Sequence, residues 1–120
     1  MKTSDLTDIA LDWAVAVAAG LEYTFDTYIG SDECDPMPLV IVNGRQWNPD
    51  ILWSQGGPII EREGISTWVF DDVTWKAQNP FASGVDQVFE GPTPLIAAMR
   101  CFIASKLGDE VDVPDELKGE

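Results

Sequence analysis

The segment TPLIAAMRCFIASKLG, residues 93–108, limits the possible folds more than any other part of this chain. Thr93 is a good helix cap, and Pro94 suits a first helical turn, where a missing N–H is not needed. Leu95, Ile96, Met99, Phe102, Ile103 and Leu107 recur at helical spacing. Lys106 complements the negative end of the helix dipole, and Gly108 stops it. A helix with so broad an apolar face must be covered by other elements.

The rest of the chain offers the covering surfaces. Leu6, Ile9, Ala10, Trp13 and Val17 predict an N-terminal helix, capped by Thr3 or Ser4 and stopped by Gly20, with Asp5, Asp8 and Asp12 on a solvated face. A strand is expected within residues 22–29. In PLVIVNGRQW, residues 39–42 read as a buried strand, and Asn43-Gly44 supplies a tight hairpin turn. STWVF and VTWKAQ, rich in β-branched and aromatic residues, read as two strands joined at Asp71-Asp72. Residues 78–90 read as a loop, and Val111 and Val113 as anchors of an acidic tail at 109–120. The expectation is one α+β domain over residues 1–120: a small antiparallel sheet carrying an N-terminal and a C-terminal helix, with a short central helix.

Composition removes whole classes of chemistry. There is no histidine among the 120 residues, so Ser-His-Asp and Cys-His catalysis are excluded. Cys34 and Cys101 alone do not make an ordinary zinc site, and they are expected to be free thiols in a reducing compartment. No metal and no cofactor is expected. No apolar run approaches the roughly 20 residues that span a bilayer, and MKTSDLTD does not read as a secretion signal. The net charge of −14 is concentrated at the ends: eight acids against one base in residues 1–38, and six against one in residues 107–120. Direct nucleic-acid binding is therefore disfavoured, and a basic protein partner favoured.

Three long stretches, SDLTDIALDWAVA, WSQGGPIIEREGIS and GPTPLIAAMRCFIASKLGDEVDVPDEL, occur in order along the chain. In these the sequence resembles the NinX-like family of small lambdoid phage and prophage proteins. The resemblance implies a phage accessory protein acting in the bacterial host cytoplasm, and it carries over no catalytic residues.

WSQGGPIIERE, residues 53–63, raises the question of a ligand site. It is not a phosphate-binding P-loop, because no Gly-Lys-Ser/Thr follows the glycines. It is not a dinucleotide fingerprint either. One reading is purely structural: Gly56-Gly57 makes a tight turn, Pro58 starts a short helix ending at Gly64, Ile59 and Ile60 face the core, and Trp53 packs on the hairpin. The other is a binding pocket. Helix starts at Gly57-Pro58 and Thr93-Pro94 would present backbone N–H groups to an anion. Trp47, Trp53, Trp68 and Trp75 offer stacking faces, and Arg45, Arg62 and Arg100 are the arginines available to hold a phosphate. The candidate site on this reading is Trp47, Trp53, Gly56, Gly57, Arg62, Trp75, Thr93 and Arg100. Arg100 also reads as a structural residue, either snorkelling to the surface or paired with Glu61 or Glu63.

The leading functional expectation is a non-enzymatic, homo-oligomeric binding module that sequesters a small anionic, nucleotide-like ligand to counter host defence. The alternative is an acidic inhibitor or DNA mimic that binds a host enzyme, which requires the two acidic ends to lie side by side. A carboxylate-metal hydrolase using Asp71 and Asp72, or Glu61 and Glu63, ranks last, because two acids in a turn are ordinarily a solvated turn.

Overall fold

The computed structural model describes residues 1–28, 37–80 and 88–117. The elements run α1 (Asp8–Ala18), β1 (Thr24–Tyr28), β2 (Met37–Val42), β3 (Arg45–Gln46), α2 (Trp53–Glu63), β4 (Ser66–Asp71), β5 (Thr74–Gln78), β6 (Phe89–Gly91) and α3 (Pro94–Leu107). Short 3₁₀ turns at Thr3–Asp5 and Asp115–Leu117 flank them. The α+β class is as expected, but the strands form two antiparallel sheets, β1-β2-β3 and β4-β5-β6. The physical reason is local pairing: each sheet is built from hairpin neighbours, and α2 separates one set from the other.

Helix α3 is the hub. It packs against α1, against α2 and against all three strands of the second sheet, while α1 also covers β2. Ala97, Ala98, Met99, Cys101, Phe102 and Ile103 are fully enclosed, as are Leu11, Ala14, Val15 and Ala16 on α1. The alanines allow the two helices to approach closely. Thr93 caps α3 as its sequence indicates, its Oγ1 accepting the Ile96 N–H at 3.1 Å.

The start of α1 differs from expectation. The helix begins at Asp8, after an extended Thr7 that makes no side-chain cap. Thr3 is instead used for a tertiary contact, its buried hydroxyl donating to the Gly108 carbonyl at 2.7 Å. The Thr3 N–H donates to Asp109 O, the Val111 N–H donates to Met1 O, and the Met1 ammonium donates to Val111 O. The two ends of the chain therefore lie side by side. Val111, Val113 and Leu117 hold the tail in the core.

The first hairpin turns at Asn43 and Gly44, with φ of 55° and 76°, as the Asn-Gly pair predicts. In the second, β4 continues to Asp71 and the turn falls at Asp72–Val73, where Asp71 Oδ1 accepts the Val73 N–H at 2.9 Å. Strand β6 (Phe89–Gly91) begins within the segment, 78–90, expected to be loop. It is only three residues long, too short to carry a periodic signal, and pairs Phe89, Glu90 and Gly91 with Ala77, Lys76 and Trp75.

Helix α2 begins at Trp53, five residues before Pro58, so Gly57-Pro58 is interior and is not a helix start. The turn is set earlier: the Asn48 carbonyl accepts the Ile51 and Leu52 N–H groups, and the Leu52 carbonyl accepts those of Gln55 and Gly56. Pro58 cannot donate to the Ser54 carbonyl, but Ser54 is exposed and water can serve it. Gly64, with φ of 71°, ends the helix as anticipated.

The two glycines of α2 have different jobs. A Cβ on Gly56 would lie 2.5 Å from the Pro49 carbonyl oxygen and 2.7 Å from Leu95 Cδ2, whereas one on Gly57 would meet Trp53 Cε3 at an ordinary 3.6 Å. Gly56→Ala is therefore expected to destabilise the fold by about 2 kcal/mol through overpacking. Gly57→Ala is expected to be neutral or to stabilise by up to about 1 kcal/mol through helix propensity. Chemical denaturation of the two variants checks the contrast; equal effects would contradict this packing.

Candidate ligand-binding site

The eight sequence-selected residues separate into groups. Trp47, Trp53, Gly56 and Gly57 come together at the start of α2. Gln55 fastens this region, its side-chain amide accepting the Asn48 N–H and donating to the Gln46 carbonyl at 3.0 Å. The Trp47 N–H donates to the Val40 carbonyl at 2.8 Å, and its side chain packs on the core. Its indole Nε1 is enclosed without a partner among the described residues. Trp53 does not pack on the hairpin: it is 56% exposed and forms an apolar ledge with exposed Ile51 and Leu52. Leu52 precedes the helix without a side-chain cap, and the N–H groups of Trp53 and Ser54 have no acceptor among the described residues. Gly57 lies under the Trp53 ring.

Arg62 stands apart. It is nine residues further along α2, about 13 Å along the axis. Its exposed guanidinium pairs with Glu63 at 3.1 Å and lies 5.9 Å from the centre of the Phe102 ring. Trp75 packs on the core from the second sheet, and Thr93 is occupied as a cap.

Arg100 belongs to a second place, a cleft of about 900 Å³ where the two chain ends meet β6. It does not pair with Glu61 or Glu63. Its Nε donates to the Leu6 carbonyl at 2.9 Å and its Nη1 to the Glu90 carbonyl at 2.6 Å. The guanidinium thus bridges the chain start, α3 and β6, and burial lowers its pKa from the ordinary value. Lys2, Ser4 and Thr74 also line the cleft, while Asp5, Glu90, Asp109 and Glu110 make it predominantly acidic. Sequence reasoning missed this cleft because it is formed by residues more than 100 positions apart.

A buried acid pair lies behind the α2 ledge. Asp12 is not on a solvated face of α1. It is 6% exposed, as is Asp50 in the segment leading to α2. The Asp50 N–H donates to Asp12 Oδ1 at 3.2 Å, which sets the two acidic residues against each other. Asp50 Oδ1 has no partner among the described residues. Burial, and then the Asp50 carboxyl, push the Asp12 pKa up to about 10. Two enclosed carboxyl groups in contact hold one proton readily and lose it with difficulty. Cys101 is a free, buried thiol whose pKa burial raises to about 11, which makes it unreactive. Cys34 lies outside the described residues. Among the described residues, no group of three or more Cys, Asp or Glu side chains is placed to hold a metal ion, and no helix is long and apolar enough to cross a membrane.

The fold and its two candidate places define a small, acidic α+β protein with an open aromatic ledge and an acid-lined cleft. Residues 2–106 match the family described as Bacteriophage P22, NinX, and the chain belongs to that family. No curated protein matches the chain.

The acid pair makes stability depend on pH in a defined direction. The folded state holds the Asp12 proton more tightly than the unfolded state does. The contribution is therefore complete below about pH 4 and is lost as pH rises toward about 10. Between pH 6 and 9, where most other carboxylates no longer titrate, stability should fall by up to about 1.4 kcal/mol per pH unit. Asp12→Asn keeps the acceptor for the Asp50 N–H and removes the proton, so its profile should be flatter. Urea denaturation across this range checks it; identical slopes in both proteins would remove Asp12 as the cause.

Proposed function

We propose that this NinX-family protein is a non-enzymatic binding protein, and that its ligand is a small anionic molecule of nucleotide type held at the start of α2. One observation carries this reading: the exposed Trp53 indole stands beside two uncommitted backbone N–H groups at the positive end of a helix. An indole face stacks on a base, and a helix N-terminus accepts phosphate. Gly57 keeps one side of the ring clear of any larger side chain. In a phage protein acting in the host cytoplasm, sequestering a nucleotide signal would counter host defence without any catalytic step.

The test is isothermal titration calorimetry with a panel of mononucleotides and cyclic dinucleotides. One of them should bind, and Trp53→Ala should weaken that binding at least about tenfold, the usual magnitude of one lost base stack. Arg62→Ala, too distant to reach the ligand, should leave it unchanged. No binding across the panel at millimolar concentration, or binding indifferent to Trp53→Ala, would overturn the reading.

The acidic cleft favours a second reading, a basic segment of a host protein as partner. The observation behind it is the pairing of the chain ends, which brings Asp5, Asp109 and Glu110 round one opening. Such a complex would weaken steeply with salt and with Asp109→Asn and Glu110→Gln, and would be indifferent to Trp53→Ala.

A further inference from the structure

Among the described residues β4 is an outer strand of the second sheet. Natural sheets blunt an exposed edge with lysine, proline, bulges or very short strands. Between Ser66 and Phe70 this strand has no charge and no proline, and its register irregularity is confined to the Val69–Asp71 end. Val69 is 58% exposed and Phe70 60%, and Trp68 is exposed beside them. Trp68 stands opposite Lys76 in the register, and Lys76 opposite Glu90. The Lys76 ammonium lies 3.9 Å from the centre of the Phe70 ring and 3.5 Å from the Glu90 carboxylate. Trp68, Phe70 and Lys76 therefore share the face of the sheet turned away from α3.

We propose that this edge pairs with the same edge of a second copy, joining two three-stranded sheets into one antiparallel six-stranded sheet about a two-fold axis at Trp68. Charge argues for a second copy and for this orientation. Two chains of net charge −14 repel each other over most of their surfaces. Here the facing segment is neutral, and the nearest charge on the outer face is the lysine ammonium over an aromatic ring. The side chains of directly opposed residues must emerge on one face of the sheet, so the axis passes through a residue and not between two. With the axis at Trp68, Thr67 meets Val69 and Ser66 meets Phe70 of the other copy. The Val69–Asp71 irregularity then falls at the two ends of the paired segment, away from the axis. Each Asp71-Asp72 pair is carried about 20 Å from its counterpart, well beyond the screening length at physiological salt. A parallel arrangement would set those acids side by side. Across the outer face the row becomes Glu90, Lys76, Trp68, then Trp68, Lys76 and Glu90 of the second copy. Each Trp68 keeps Lys76 as its cross-strand neighbour within its own chain, and aromatic cross-strand pairs stabilise such sheets.

Sedimentation equilibrium at about 50 μM, a concentration typical for modest homodimers, tests this. The wild type should show twice the 13.2 kDa chain mass. Trp68→Lys, which sets two lysines face to face on the axis, should show a single-chain mass with an unchanged circular dichroism spectrum. Trp68→Cys in a Cys34→Ser background should form a disulfide-linked dimer on mild oxidation. A wild type that stays single, or a dimer in which Trp68→Cys fails to cross-link, would overturn the proposal.

Discussion

Burial of α3 on nearly every side is the constraint from which the rest of the structure follows. One surface of this helix meets α1 through alanines, another meets α2 at Leu95 and Phe102, and another is covered by the second sheet. Two backbone accommodations show how closely its neighbours are drawn in. Gly56 brings α2 against Leu95, and Gly91 brings β6 so near the first turn of α3 that an added Cβ would lie 2.8 Å from the Ala97 nitrogen. Arg100 adds a polar clamp from the same helix, its two short bonds holding the chain start and β6 in place. The clamp uses backbone carbonyls in place of an ion pair with Glu61 or Glu63, so it survives any titration of the surrounding acids.

This arrangement explains which parts of the fold were legible in the sequence. The cap of α3, the Asn43-Gly44 turn and the stop at Gly64 depend on residues within a few positions of each other, and all three are where local chemistry puts them. The start of α1 was misread because Thr3, a good cap by type, is spent on a carbonyl 105 residues away. The start of α2 was misread because Pro58 resembles a first-turn proline, whereas the helix is initiated by the Asn48 and Leu52 carbonyls. Asp12 follows the same rule. Its spacing with Asp5 and Asp8 suggests an outward stripe, but its contact with Asp50 spans 38 residues and no pattern along α1 reports it.

The candidate site was half legible for the same reason. Trp47, Trp53, Gly56 and Gly57 lie within one short stretch, and the fold keeps them together. Arg62, Trp75, Thr93 and Arg100 were grouped with them by residue type alone, and each is committed elsewhere: to Glu63, to the core, to a cap and to two carbonyls. The ledge therefore offers a ligand backbone N–H groups and an indole, and neither Arg62 nor Arg100. A phosphate there would be held by dipoles and hydrogen bonds in place of a formal cation.

That distinction has a bearing on how a strongly acidic chain can bind an anion at all. The long-range field of the protein opposes approach, and only short-range interactions at the ledge favour it. Salt screens the repulsion between separated charges much more than it weakens contacts already made. Binding of an anion at Trp53 should thus strengthen, or hold level, as salt is added, whereas an arginine-based phosphate site would weaken. The acid-lined cleft obeys the opposite rule, since a basic partner is drawn in by that same field. The ledge and the cleft are consequently distinguishable by one physical variable. The neutral β4 segment is where association depends least on the charge of the chain.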